Sequence, residues 1–219
     1  MTGNCKIPYG ISSFTRLREE GYYYVDKTAY IRTLELCGSF LFFVRPRRFG
    51  KSLFISMLES YYDVAAKDRF LALFGDLDIG REPTENSSRY QVLTMDFSQV
   101  NRGDGDTLVA RFENYIGKCL DEFMERYGAS YGDKFVAQFA QETSANKFTM
   151  LAQRAKTKGF HLYLFIDEYD NFTNAMLRAE GNADYRSITH GQGFYREWFK
   201  SFKGNFDRIF MTGVSPLNS

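Results

Sequence analysis

The sequence predicts an α/β fold, an open and mainly parallel sheet with helices on both faces. Four short apolar runs, at 40–44, 90–97, 161–166 and 208–213, have the length and the aromatic or branched content of buried strands. The stretches between them carry helical periodicity, as the crossovers between parallel strands require. Two of the runs end in chemically active residues, Gly50-Lys51-Ser52 after the first and Asp167-Glu168 after the third. Open α/β sheets hold their ligands beyond the carboxyl ends of their strands.

Taken in order, the chain opens with a short helix from Ser13 to Glu20, stopped by Gly21 and followed by the aromatic run Tyr22–Val25. Asp26 or Thr28 caps a second helix carrying Tyr30, Ile31 and Leu34, which Gly38 ends; residues 1–38 thus form a helical preamble. The strand Phe40–Val44 leads through a proline-containing turn into the helical pattern of Leu53, Met57, Leu58 and Tyr61. A hydrophobic knot from Phe70 to Ile79 fades into a polar loop, 81–88, and the strand Tyr90–Phe97 follows. The strongest helix spans 106–127, with Asp106 as its cap and Gly128 as its stop. Two shorter helices carry Phe135, Val136 and Phe139, then Phe148, Leu151 and Ala155 up to Gly159. After the strand 161–166 come helix-like residues 172–179, a loop at 181–193, an aromatic helix Phe194–Phe202 and the strand Arg208–Gly213.

With 219 residues the chain fits one domain, 1–219, large enough to bury a substantial core. Hydrophobic residues at 44% and charged residues at 25% are ordinary globular values, whereas 22 Phe and 15 Tyr make the interior strongly aromatic. A formal net charge of +1 excludes a global field that would draw the protein onto nucleic acid or an anionic membrane. The three cysteines form no CxxC pair and only two histidines accompany them, which argues against a zinc site or a disulfide framework and for a reducing compartment. The sequence shows neither a signal-peptide pattern nor an apolar run of membrane-spanning length, so the expected location is cytoplasmic.

The Gly50-Lys51-Ser52 turn has the parts of a phosphate loop. Gly50 lets the backbone approach a phosphate, and the helix N-terminus supplies N–H groups and positive dipole. Lys51 reaches the terminal phosphates and Ser52 offers a hydroxyl to magnesium. The usual pattern GxxxxGK(S/T) would put its first glycine where this chain has Arg45, so the loop is entered along a different backbone path, with Pro46 fixing φ. A Gly-Lys-Ser triplet can also be an ordinary helix start. The strand before it and the helix after it favour the phosphate loop.

Asp167 and Glu168 at the end of a separate strand complete the picture, Asp167 as magnesium partner and Glu168 as base or orienter of water. Such a pair also occurs as a helix cap. Thr212 and Ser215, at the end of the fourth strand, have two readings of equal weight, a polar sensor of the terminal phosphate or turn chemistry around Gly213 and Pro216. Asp170 either extends the acidic cluster or caps the helix that follows, and the cap is the favoured reading. Arg45, Arg47 and Arg48 join Lys51 in a basic cluster suited to phosphates rather than to nucleic acid.

These stretches resemble the AAA-ATPase-like family, whose members carry a Pro-Arg-Arg-Phe-Gly-Lys-Ser loop in place of a standard Walker A motif. The matching segments are Ile7–Gly10, Tyr24–Thr28, Arg45–Ser52, Phe165–Asp170 and Thr212–Ser215, nearly end to end. The resemblance implies a P-loop NTPase of the ASCE/AAA-like class, a three-layer sandwich around a mainly parallel sheet. It places Arg47, Arg48, Phe49, Gly50, Lys51, Ser52 and Thr212 on the nucleotide, and Ser52 and Asp167 on magnesium. Glu168, of the Walker B pair, and Lys51 would be catalytic. Two departures stand out: Asn171 replaces a common proline, and family members usually continue into a helical lid and a nuclease-like domain of the PD-D/E-XK type, neither of which is expected within 1–219.

The resulting expectation is magnesium-dependent ATP binding with slow hydrolysis, serving as a nucleotide switch for an effector. The alternative is a non-catalytic, nucleotide-gated interaction module in which Glu168 is structural. A nucleic-acid binder using the arginines and a small-molecule kinase are weaker rivals. The expected partners are nucleotide and either a homo-oligomer or a separate effector protein, without nucleic acid or membrane.

Overall fold

A computed structural model of the chain describes residues 6–100, 107–171 and 197–214. Four parallel strands form its centre: β1 (Phe40–Val44), β2 (Tyr90–Asp96), β3 (His161–Asp167) and β4 (Arg208–Gly213), in the order β1-β4-β3-β2. The last strand in sequence therefore lies between the strand that precedes Gly50-Lys51-Ser52 and the strand that ends at Asp167. All four run the same way, so their carboxyl ends share one edge.

Strand alternation splits the apolar core in two. Tyr90, Val92, Tyr163, Phe165 and Phe210 face one side, where they pack on α1 (Phe14–Glu19), α2 (Tyr30–Cys37), α3 (Lys51–Tyr62), α4 (Phe70–Phe74) and α5 (Asp78–Arg81). Leu93, Met95, Leu162, Leu164, Ile166, Ile209 and Met211 face the other side, against α6 (Leu108–Tyr131), α7 (Asp133–Ala140), α8 (Ser144–Lys158) and the helical residues 197–205, α9. Helices thus cover both faces, which is why the strands read as nearly continuous apolar runs. Continuing the alternation, Asp96, Asp167 and Thr212 fall on the α3 side of the sheet.

Several local expectations shift for physical reasons. The long helix does not stop at Gly128, which is buried inside it with Val136 and Met124 close by; it runs to Tyr131 and ends at Gly132, where φ is 90°. Its cap is Thr107, whose side chain accepts from Ala110 N–H, while Asp106 lies outside the described residues. Asp26 and Thr28 cap a different element from the one expected. Asp26 accepts from Asp78 N–H at 2.8 Å and Thr28 Oγ1 from Ile79 N–H at 3.2 Å, at the start of α5. The hydrophobic knot resolves into the short helices α4 and α5, preceded by a 3-10 turn (Val64–Arg69). Residues 172–193, with the helix-like run and loop, and Ser215 lie outside the described residues.

The preamble is fastened to the layer that holds α3. Phe14 N–H donates to Ser56 Oγ at 3.0 Å, Arg18 Nε to the Leu73 carbonyl at 2.9 Å, and Phe14 stacks on Phe74. The outer edge of β2 is closed by tyrosines of α6: Val92 N–H donates to Tyr127 and Asp96 N–H to Tyr115. Those hydroxyls satisfy backbone donors that an edge strand would otherwise present to another chain. Among the described residues no helix is long and apolar enough to cross a membrane.

Gly213 is the tightest point near the carboxyl edge. A Cβ there would meet Tyr169 Cε1 at 2.0 Å, and Tyr169 is buried, with its ring edge-to-face on Phe42. Gly213→Ala is therefore expected to destabilise by about 1–3 kcal/mol through overpacking. Gly117, in the open interior of α6, meets nothing closer than 3.8 Å, so Gly117→Ala is expected to stabilise by about 0.5–1 kcal/mol. Urea denaturation of both variants checks this pair of opposite signs.

Candidate nucleotide site

The loop between β1 and α3 turns on two left-handed residues, Arg48 at φ 66° and Gly50 at φ 73°. Gly50 is the N-cap of α3 and provides no side chain, so the first N–H groups of a twelve-residue helix are left without a side-chain cap. That is the anion-seeking end of a helix. Lys51, at the first position, is buried, and its Nζ donates to the carbonyls of Arg45 at 3.2 Å and Pro46 at 3.1 Å. Arg45, Arg47, Arg48 and Phe49 are exposed along the loop, and the Arg45 guanidinium lies 5.4 Å from the Phe43 ring centre.

Across from the loop, Asp167 gathers three donors. Ser52 Oγ donates to Oδ2 at 2.6 Å; the Thr212 hydroxyl and, at 2.9 Å, the Glu168 N–H donate to Oδ1. Asp167 and Thr212 are both buried, so these bonds form in a poorly solvated place where each carries more weight than in water. Thr212 thereby meets Asp167, a partner that neither sequence reading of it contained.

Glu168 follows in a left-handed conformation, φ 52°, which is unusual for a residue with a Cβ. Its carboxylate accepts a hydrogen bond from the Asn171 amide, and Asn171 N–H closes the turn onto the Glu168 carbonyl at 2.9 Å. Partial burial raises the Glu168 pKa above the ordinary carboxylate value, and the neighbouring charges of Asp167 and Asp96 push it the same way. The Asn171 hydrogen bond and the charge of Lys51 oppose the rise without cancelling it.

Of the residues marked in the sequence, the fold brings Ser52, Asp167, Thr212 and Glu168 together, with Lys51 close enough to act on Glu168 electrostatically. Arg47, Arg48 and Phe49 stand apart from that cluster, exposed on the loop. Three residues that sequence reasoning gave no site role now have a place. Asp96 sits beside Asp167 in register and accepts from Ser98 and Gln99; its position at a strand end was the available signal. Asn171 holds Glu168, and Tyr169 fills the space that Gly213 leaves. Asp170 accepts from Val214 N–H at 3.3 Å, tying the turn after β3 to the end of β4.

Hydroxyl and carboxylate oxygens 2.6 Å apart are the hard donors that magnesium prefers. Among the described residues no three His, Cys, Asp or Glu side chains form a metal-holding group, so this is no all-protein cage. One carboxylate and one hydroxyl fit an ion that keeps waters and takes phosphate oxygens.

A family model described as predicted AAA-ATPase, AAA-ATPase-like, matches residues 8–219. The chain belongs to this AAA-ATPase-like family. It is also 31% identical over 166 residues to an "Uncharacterized protein in vnfD 5'region" of Azotobacter chroococcum mcd 1. That alignment covers 75% of this chain and 29% of the relative, so the chain spans less than a third of that protein's length. No solved structure matches.

The raised Glu168 pKa fixes the sign of a pH effect. A folded-state value above the unfolded one means that the fold binds the proton more readily, so this group's contribution worsens as pH rises from the ordinary carboxylate value through the raised one. Glu168→Gln removes the charge and keeps an acceptor for Asn171. The variant is expected to be more stable than the parent at neutral pH, with the gap closing as pH falls through the raised value to the ordinary carboxylate value, and closed below about 4. Urea denaturation of both proteins across that range reads the crossover.

Proposed function

We propose that the chain is an ATP-binding P-loop domain spanning 1–219, with magnesium-dependent, slow ATP hydrolysis that switches an effector or partner protein. The observation that carries this reading is the Ser52–Asp167 pair. It joins the helix start bearing Lys51 to the strand end bearing Glu168. A four-strand parallel sheet with helices on both faces agrees with the ASCE/AAA-like P-loop assignment. Membership in a family described as predicted ATPases agrees with it.

In this reading Gly50, the α3 N–H groups, Arg47, Arg48 and Phe49 form the phosphate cradle. Lys51 exchanges its two loop carbonyls for phosphate oxygens, a better match for a buried ammonium. Ser52 and Asp167 would hold magnesium, which when bound supplies a positive charge that stabilises the phosphate oxygens during transfer. Thr212 donates to Asp167 and fixes its orientation. Glu168 orients the attacking water and accepts its proton, and the raised pKa suits a base of this kind. Turnover is slow without an arginine from a neighbour, because such a group contributes about 10³–10⁵ in rate. That gives an oligomer or a separate effector a reason to exist, and a cytoplasmic location agrees with three widely spaced cysteines that suggest no disulfide framework.

One observation favours a second reading. The Asn171 amide occupies a Glu168 oxygen, which would suit a structural glutamate in a nucleotide-gated interaction module without hydrolysis. Glu168→Gln separates the two. The enzyme reading expects Mg-ATP binding within about threefold of the parent and phosphate release reduced by about 10²–10⁴. Phosphate release unchanged by the substitution, or absent from both proteins, leaves the module. Titration calorimetry and a phosphate-release assay on the same preparations supply both numbers.

A further inference from the structure

The free edge of β2 has a gap in its hydrogen bonding. Along this strand the N–H groups of odd residues point to β3, as Phe97 does to the Asp167 carbonyl, and those of even residues point outward to α6. Tyr127 accepts from Val92 at 2.9 Å and Tyr115 from Asp96 at 2.6 Å. Thr94 lies midway in the same outward register, and no described residue accepts from its N–H. Opposite it, the same stripe of α6 brings Cys119 and Phe123, neither of which offers an oxygen. A cavity of about 170 Å³ opens there, walled by the β2 edge at 92–94, by Glu59 of α3, and by Cys119, Glu122, Phe123 and Arg126 of α6. We infer that this cavity is a binding site for a small neutral primary amide, whose carbonyl accepts from the Thr94 N–H and whose amide nitrogen donates to Glu59.

Two unmet groups set that choice. Glu59 accepts from the Thr94 hydroxyl through Oε1, and its other oxygen takes no hydrogen bond from the described residues. Thr94 thus brings to one wall a free donor, its own N–H, and a half-used acceptor, the carboxylate that its hydroxyl holds. Burial raises the Glu59 pKa against the opposing Thr94 hydrogen bond and Arg126 charge, so this carboxylate is poorly hydrated and gains from a donor that a ligand supplies. A primary amide carries an acceptor and a donor side by side and no charge, so one molecule meets both groups. An ammonium or guanidinium has no acceptor for Thr94. A carboxylate would bring a further negative charge beside Glu59 and Glu122, and Arg126 is already engaged with Asp63 at 3.1 Å. Among the described residues no three His, Cys, Asp or Glu side chains form a metal-holding group, so the two carboxylates are not a cation cage. The volume lies below the roughly 300 Å³ at which sites for drug-sized ligands begin, which suits a molecule the size of acetamide and not a nucleoside. The site is also distinct from the phosphate loop, since Glu59 stands about two turns beyond Ser52 on α3.

The test records nitrogen–proton correlation spectra of the intact chain while acetamide, N,N-dimethylacetamide, acetate or methylammonium is added, each separately, with the Thr94 amide signal as reporter. Acetamide is expected to shift that signal saturably, with a Kd of roughly 1–10 mM for so small a ligand. Dimethylacetamide keeps the carbonyl and lacks N–H donors, and should bind at least about tenfold more weakly, as should the two ions. Glu59→Gln keeps an acceptor for the Thr94 hydroxyl and puts an amide nitrogen where the free oxygen was. Acetamide should then lose about fivefold or more while acetate gains, a reversal that loosened packing would not produce. Equal affinity for acetamide and dimethylacetamide, tighter binding of either ion, or no saturable shift up to roughly 100 mM, which leaves the gap to water, overturns the inference. An unchanged preference in a folded Glu59→Gln overturns it as well. Should that variant not fold, the ranking of the probes on the parent decides.

Discussion

The carboxylate of Asp167 is the constraint on which the rest of this edge of the molecule depends. It accepts from Ser52 on α3, from Thr212 on β4 and from the backbone of Glu168, so one side chain ties a helix, two strands and a turn. Removing any one donor would leave a buried acceptor less than satisfied, at a cost of about 1–3 kcal/mol. The same oxygens are the hard donors of the candidate metal site. Structure and chemistry therefore compete for one group, and a ligand that engages Ser52 and Asp167 must rearrange the contact that now links loop to sheet. Such a rearrangement is a physical basis for nucleotide to be felt at β4 and at the turn after β3.

That turn is over-determined. Glu168 holds a left-handed backbone at a cost of about 1–2 kcal/mol, offset by the Asp167 and Asn171 hydrogen bonds around it. Tyr169 occupies the space beside Gly213, Asp170 accepts from Val214, and Arg45 N–H donates to the Gly213 carbonyl at 3.1 Å. The loop between β1 and α3 and the turn after β3 thus touch the same short piece of β4. On the other flank of the loop, the preamble is part of the same body, fastened to α3, α4 and α5 by its own polar contacts.

Much of the local chemistry was legible in the sequence because it is written in contiguous residues. Gly50-Lys51-Ser52 between an apolar run and a helical pattern, and Asp167-Glu168 after a second apolar run, needed no knowledge of distant contacts. What escaped depends on pairing. Nothing local says that β4 lies between β1 and β3, that Thr212 would donate to Asp167, or that Asp26 and Thr28 would cap α5 fifty residues away instead of the adjacent helix. Gly128 reads as a helix stop by composition, yet a buried face with Val136 against it keeps the helix going until Gly132 takes a positive φ.

The central claim is that Lys51 and its helix start hold the phosphates of a nucleotide. Calorimetric titration of Mg-ATP into the parent and into Lys51→Ala tests it directly, with thermal unfolding to show that both are folded. Saturable one-site binding to the parent, weakened by at least about a hundredfold in the variant, is the result this account predicts; a buried ammonium bonded to phosphate contributes on that scale. Equal affinity in the two proteins, or no binding to a folded parent, would contradict it.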